Sequence, residues 1–410
     1  MTNTRFSLAF TVAAILMAAT STPALAQSKS AKVIRPEVIQ DAINQEPEVQ
    51  VFIGLLYYAG DGLDRDLGKA AQLFRLSAEK GNATAQYWLG LMYSEGQGVE
   101  NNGAEALKLW KQAAQLGYVH SQLKLADLYR SAGKYDQALH WYLKLAEQPS
   151  DHLAEAQSQV ALAYYNGQGV EQNYGEAVKW FRKAADSGEA GAYFYLGRSY
   201  QEGRGVAQNY QEAIRWYRKG AGQNDTAAQV NLGSMYRKGE GVPQNFTEAI
   251  RWYRKAADQG YVEGQVKLSL MYSVGGGVTK DLKQAAIWMR RAAEHGDPSA
   301  QYFLGSKYEH GQGVPQDLTQ ASEWYRTAAD QGNGSAQSRL ASMYQFGQGV
   351  IQDYLQAHVW WNLAASQAKG DEIKELSEFR DKLALRMTSA QIAEAQRLAR
   401  EWKPTGQSKK

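Results

Sequence analysis

The chain has 410 residues, of which 44% are hydrophobic and only 8 are proline, with a formal net charge of +3. That composition argues against a disordered chain, and so small a charge excludes the electrostatic footprint of a nucleic-acid binder. The absence of cysteine excludes disulfides, thiolate metal sites and a lipoprotein anchor.

Residues 1–26 read as a secretory signal peptide. Arg5 precedes an apolar run from Phe6 to Ala19, and the small-residue site Ala24-Leu25-Ala26 follows Pro23. With cleavage after Ala26, no later segment is apolar enough to cross a bilayer. The mature chain is therefore expected in an exported compartment: the bacterial periplasm fits best, and the extracellular space stays open. Residues 27–49 read as a leader, in which Pro36 opens a short helix and Pro47 ends it.

Over residues 50–366 one pattern is written nine times. Its tyrosine recurs as Tyr57, Tyr93, Tyr129, Tyr164, Tyr200, Tyr236, Tyr272, Tyr308 and Tyr344, at steps of 36 residues with one step of 35. So strict a period predicts an array of helix hairpins, each unable to bury its apolar face without a neighbour. The fold class is therefore all-α, a solenoid of about nine hairpins. In the eighth repeat, helix A is predicted from about Ser299 to His310, with Ala300, Leu304 and Tyr308 on one face. Gly54, Gly90, Gly197, Gly233 and Gly305 return inside helix A, where glycine costs about 1 kcal/mol relative to alanine, so close approach of the facing helix is expected.

A Gly-x-Gly follows helix A in eight repeats and reads as a helix terminator. A phosphate cradle is excluded, because no strand precedes it and no Gly-Lys-Ser follows. Helix B opens on a predicted capping box: Asn102-x-x-Glu105, Asn173-x-x-Glu176, Asn209-x-x-Glu212, Asn245-x-x-Glu248, Asp281-x-x-Gln284, Asp317-x-x-Gln320 and Asp353-x-x-Gln356. Capping accounts for these paired polar residues without acid–base chemistry. Trp180, Phe181, Trp216, Tyr217, Trp252 and Tyr253 then face alanines as expected core. The pairs Arg182-Lys183, Arg218-Lys219, Arg254-Lys255 and Arg290-Arg291 read as a solvated face near the helix C-terminus.

The third repeat, at about 118–152, lacks Gly-x-Gly and resembles a tetratricopeptide unit, which marks it as a candidate bend or docking point. After the ninth repeat, residues 367–403 predict two capping helices, the second opened by Thr388-x-x-Gln391, and 404–410 form a tail. The pattern A-x-x-x-L-G-x-x-Y-x-x-G-x-G-V-x-x-D/N-x-x-x-A-x-x-W-Y-x-x-A-A-x-x-G resembles the Sel-one-like repeat family, relatives of the tetratricopeptide repeats, over about Val51 to Ala365. The resemblance implies a right-handed superhelix of antiparallel helix pairs acting as an adaptor for other macromolecules.

No catalytic residue, metal site or cofactor is expected. His120, His140, His152, His295, His310 and His358 show no zinc spacing. Ser-x-x-Lys occurs four times, at Ser77, Ser121, Ser131 and Ser366, but neither Ser-Asp-Asn nor Lys-Thr-Gly accompanies it. What varies between repeats is a stripe along helix A. It reads Lys124, Asp127, Arg130; Tyr195, Arg198, Gln201; Asn231, Ser234, Arg237; Lys267, Leu270, Ser273; Phe303, Ser306, Glu309; and Arg339, Ser342, Gln345. This mixed polar, cationic and aromatic content suits a groove for a protein or peptide segment, which likeness to tetratricopeptide arrays puts on the concave side. The expected function is a non-enzymatic periplasmic scaffold serving an envelope signalling or assembly partner. The alternatives are a peptidoglycan-related enzyme or binder of penicillin-binding or β-lactamase type, and a secreted host-interaction factor.

Overall fold

The computed structural model describes residues 46–405. The signal peptide expected at 1–26, the leader up to residue 45 and the tail beyond 405 lie outside the described residues. The described residues divide into two compact units, 46–189 and 190–405. The described residues contain twenty helices and no strand. The first unit holds α1 (Pro47–Ala59), α2 (Leu67–Glu79), α3 (Ala83–Glu95), α4 (Gly103–Gln115), α5 (Val119–Ser131), α6 (Tyr135–Leu145), α7 (Leu153–Asn166) and α8 (Tyr174–Asp186). The second holds α9 (Ala190–Glu202), α10 (Tyr210–Gly222), α11 (Thr226–Lys238), α12 (Phe246–Asp258), α13 (Val262–Val274), α14 (Leu282–Glu294), α15 (Pro298–His310), α16 (Leu318–Asp330), α17 (Gly334–Phe346), α18 (Tyr354–Gln367), α19 (Asp371–Ala384) and α20 (Ser389–Glu401). Odd-numbered helices from α1 to α17 are the A helices, and each packs on the B helix that follows it.

Pro47 does not end a leader helix. It occupies the first turn of α1, where its missing N–H costs nothing, so the array starts there. The glycines within the A helices are explained as expected. A Cβ at Gly54, Gly90, Gly197, Gly233 or Gly305 would lie 2.6 to 2.8 Å from the buried ring of Phe74, Trp110, Tyr217, Tyr253 or Tyr325. Ring against glycine is what lets these five hairpins close.

The two glycines of the Gly-x-Gly do different work. The first, such as Gly311 at φ 66°, takes the left-handed conformation that closes helix A. The second also has positive φ, but its purpose is close approach to the preceding repeat: a Cβ on Gly241 would lie 2.7 Å from Tyr210 Cβ, and one on Gly313 would collide with the Leu282 carbonyl.

The capping boxes need correction. Asn102, Asn173, Asn209, Asn245, Asp281, Asp317 and Asp353 do accept from the backbone N–H three residues on, at 2.9 to 3.1 Å. The reciprocal arm is absent, because each cap's own N–H donates instead to the carbonyl of the repeat tyrosine, at 2.8 to 3.0 Å. Freed from that task, Glu105, Glu176, Glu212 and Glu248 pair with Lys108, Lys179, Arg215 and Arg251 one turn on. Only Thr388 and Gln391 at α20 complete both arms among the described helices.

Tyr217 and Tyr253 are fully buried, but Trp180, Trp216 and Trp252 are half-buried. Lys183, Lys219 and Lys255 sit over those indoles with Nζ 4.0, 4.4 and 4.8 Å from the ring centroid. The first cation of each pair is also engaged: Arg218, Arg254 and Arg290 donate to the hydroxyls of Tyr236, Tyr272 and Tyr308 in the following repeat. The double cations thus rivet repeats together and cover aromatic rings.

A ladder of buried glutamines runs through each unit. Gln122, Gln229, Gln301 and Gln337 donate through Nε2 to a carbonyl of the preceding B helix, at 3.1 to 3.5 Å. Their Oε1 atoms accept from Gln148, Gln259, Gln331 and Gln367, at 2.8 to 3.2 Å. The donor is missing at two rungs. Leu116 and His295 occupy its place, and Oε1 of Gln86 and of Gln265 is left buried without a partner. Leu116 is 61% exposed. Leu116→Gln is therefore expected to stabilise the first unit by about 1 kcal/mol, read as a higher urea midpoint, because an unsatisfied buried acceptor gains its bond.

The helices α19 and α20 pack on α18, with Leu376, Leu383 and Ala395 buried in the same core as Trp360 and Trp361. The tail expected from residue 404 is tied down at its start, since Thr405 N donates to Asp330 O at 2.7 Å and Trp402 packs edge-on to Trp360.

Candidate interaction surface

The A-helix stripe is less free than the comparison of repeats suggests, because a hydroxyl or indole from the B helix beneath fixes many of its polar members. In the first unit, Tyr142 donates to Asp127 at 2.6 Å, and Arg130 Nε donates to Tyr142 Oη at 3.1 Å. Lys124 lies over the Trp110 ring at 5.2 Å. In the second unit, Tyr217 donates to Gln201 at 2.8 Å, Tyr325 to Glu309 at 2.6 Å and Trp361 to Gln345 at 3.2 Å. Ser234 shares a hydrogen bond of 3.0 Å with Tyr253, whose hydroxyl Arg237 also meets. Burial pushes the Tyr142, Tyr253 and Tyr325 hydroxyls up, and the Asp127 and Glu309 carboxylates push the first and last further, so all three remain proton donors.

The remaining stripe members pair along the surface. Arg198 meets Glu202 at 2.9 Å, Lys267 meets Glu263 at 3.7 Å and Arg339 meets Glu309 at 3.4 Å. Asn231 and Ser273 bond back to carbonyls of their own helices, while Tyr195, Ser306 and Ser342 are half-buried. Within the second unit, α9 approaches α11 and α11 approaches α13, and the Arg339–Glu309 pair links α17 to α15, so neighbouring stripes meet in these two groups. Lys124, Asp127 and Arg130 belong to the first unit.

Two apolar members stand out from this braced polar field, Leu270 at 50% and Phe303 at 48% exposure. Val274 at 65% and Phe346 at 60% join them on the last turns of α13 and α17. Comparison of three columns missed this pair. The signal was available one residue before the helix-closing glycine, where Glu95, Asn166, Glu202, Lys238 and His310 are polar in other repeats. Exposed apolar side chains on a pre-braced polar surface suit contact with another macromolecule.

None of the four Ser-x-x-Lys serines is set up as a nucleophile. Ser77 donates to Pro47 O at 2.8 Å, Ser131 and Ser366 bond to carbonyls three residues back, and Ser121 is buried. His358 is buried with Nδ1 facing Asn362 Nδ2 at 2.9 Å; burial first, then Arg380, holds its pKa below the usual histidine value. Among the described residues no three His, Asp or Glu side chains gather as metal ligands, and no helix is long and apolar enough to cross a membrane.

The family model for the Sel1 repeat matches residues 47–82, 83–118, 154–189, 190–225, 226–261, 262–297, 298–333 and 334–369. A tetratricopeptide repeat model matches 123–153, over most of the third repeat at about 118–152. Among solved structures, a Sel1 repeat protein from Oxalobacter formigenes is 31% identical, covering 87% of this chain and 98% of that one with a TM-score of 0.66. A protective antigen present in uropathogenic Escherichia coli strains, displaying an SLR fold, is also 31% identical, covering 87% of this chain and 84% of that one with a TM-score of 0.51. No curated protein matches the chain.

Proposed function

The chain belongs to the Sel1 repeat family, whose repeats serve generally as interaction scaffolds, and from that premise we propose that it holds a protein segment along the A-helix surface of its second unit. The observation that carries this reading is the set of exposed apolar side chains, Leu270 and Phe303 foremost, on a face whose polar neighbours are already braced. Preset side chains lose little freedom on binding, and apolar anchors among them supply the contact energy. The scaffold acts in the periplasm, without chemistry of its own, on an envelope signalling or assembly partner.

The test is capture from envelope extract by the full chain and by Leu270→Glu/Phe303→Glu. These are exposed positions, so the fold should persist while capture falls by about tenfold or more, the equivalent of about 1.4 kcal/mol. Undiminished capture would remove the surface from consideration. Likeness to a protective antigen supports a second reading, a secreted factor that meets host protein. Fractionation separates the two: retention in the periplasm favours the first, and appearance in the medium favours the second.

A further inference from the structure

We propose that the degenerate third repeat carries a binding site for an organic carboxylate with an apolar body about one residue in size. The chain between α5 and α6 is only Ala132–Lys134, whereas between α15 and α16 it runs from Gly311 to Asp317. The third repeat therefore lacks any counterpart of Val314, which packs against the core of the eighth. A cavity of about 260 Å³ opens among α5, α6, α7 and the loop after α7. It lies wholly within the first unit, so it stands or falls separately from the surface proposed above.

Leu139 and Tyr142 are buried in the wall of this cavity, and Leu162 of α7 is half-buried there. Gln159 and Asn166 add amides, and Arg130 is the one charged side chain in the lining. Arg130 is held in place: Nε donates to Tyr142 Oη at 3.1 Å, and Nη2 donates to Asp127 Oδ1 at 3.3 Å. Nη1 makes no hydrogen bond among the described residues. Asp127 already offsets part of the Arg130 charge, so recognition of a planar carboxylate rests on charge-assisted hydrogen bonds from the guanidinium nitrogen left without a partner, while the apolar body displaces water. The volume falls below the about 300–1,000 Å³ of drug-sized ligand sites, which limits the occupant to a fragment. A free small acid and the C-terminal residue of a peptide share this chemistry.

Calorimetry on the full chain tests the site with N-acetyl-phenylalanine and its amide, and with Ala-Ala-Ala-Phe carrying a free or amidated C-terminus. The acid is expected to bind saturably at one site, and the amide about tenfold more weakly, the value of one lost charge-assisted contact. Arg130→Gln should weaken the acid to the level of the amide without changing the helical spectrum. Leu162→Trp, which fills the cavity, should remove binding of both. Peptide acid binding as well as the small acid would identify a chain terminus as the source, and small acid alone would identify a metabolite. Equal binding of acid and amide, no saturable binding, or wild-type affinity in both variants would overturn the proposal.

Discussion

Gly313→Ala is expected to destabilise the second unit by about 3 kcal/mol, whereas Gly62→Ala should cost the first unit only about 1 kcal/mol. The two positions are equivalent in sequence and nearly equal in backbone, with φ of 82° and 77°. An L-residue in that left-handed region costs about 1–2 kcal/mol at either site. They differ in what lies outside. A Cβ on Gly313 meets the Leu282 carbonyl of the preceding repeat, which is backbone and cannot rotate away, so the loop must lift off its neighbour. A Cβ on Gly62 meets nothing, because the first repeat has no described repeat before it. Overpacking typically adds about 1–3 kcal/mol, and in an array the loss falls on one interface between neighbours. Thermal unfolding followed by circular dichroism should show a drop of about 6–12 °C for Gly313→Ala and a third of that for Gly62→Ala. Equal shifts would mean that backbone conformation is the whole reason for the second glycine.

That pair shows where reading the sequence stopped. Periodicity revealed the fold, because a 36-residue pattern of small and large side chains has one physical solution, and the rings facing Gly54, Gly90, Gly197, Gly233 and Gly305 agree with it. Local capping logic also found the right acceptors at Asn102 to Asp353. It failed on the reciprocal arm, because the carbonyl of the repeat tyrosine, brought close only by folding, takes the cap N–H. The same limit applies to the stripe. Variation from repeat to repeat suggested freedom at Asp127, Gln201, Ser234, Glu309 and Gln345, yet each meets a hydroxyl or indole from 15 to 19 residues further on. Different polar groups satisfy one donor, so the column varies while the contact persists. The glutamine ladder was legible as a Gln recurring after a small residue in helix A, but its partner 26 or 30 residues away was not.

Tyr325→Phe is expected to cost about 2 kcal/mol, and Tyr253→Phe about 1 kcal/mol, although both rings are fully buried and both changes remove a single oxygen. The difference lies in the acceptor. Tyr253 faces the Ser234 hydroxyl, which can turn to another partner, and the half-buried Arg237 guanidinium, which is still reached by water once the oxygen is gone. Tyr325 faces Glu309, whose side chain is only 17% exposed and retains just Arg339 at 3.4 Å once the hydroxyl is gone. Hydrogen bonds to a charged group contribute about 1.5–3 kcal/mol, against about 0.5–1.5 for neutral pairs, and a half-buried carboxylate left short of donors bears the cost. Urea denaturation of the two variants measures this directly, with equal midpoints refuting the charge-based ranking. The consequence reaches the proposed binding face, because Glu309 shares α15 with Phe303 and pairs with Arg339 on α17. If bracing from below presets that face for a partner, Tyr325→Phe should weaken capture even though Tyr325 itself is buried beyond a partner's reach, and Tyr253→Phe should weaken it less.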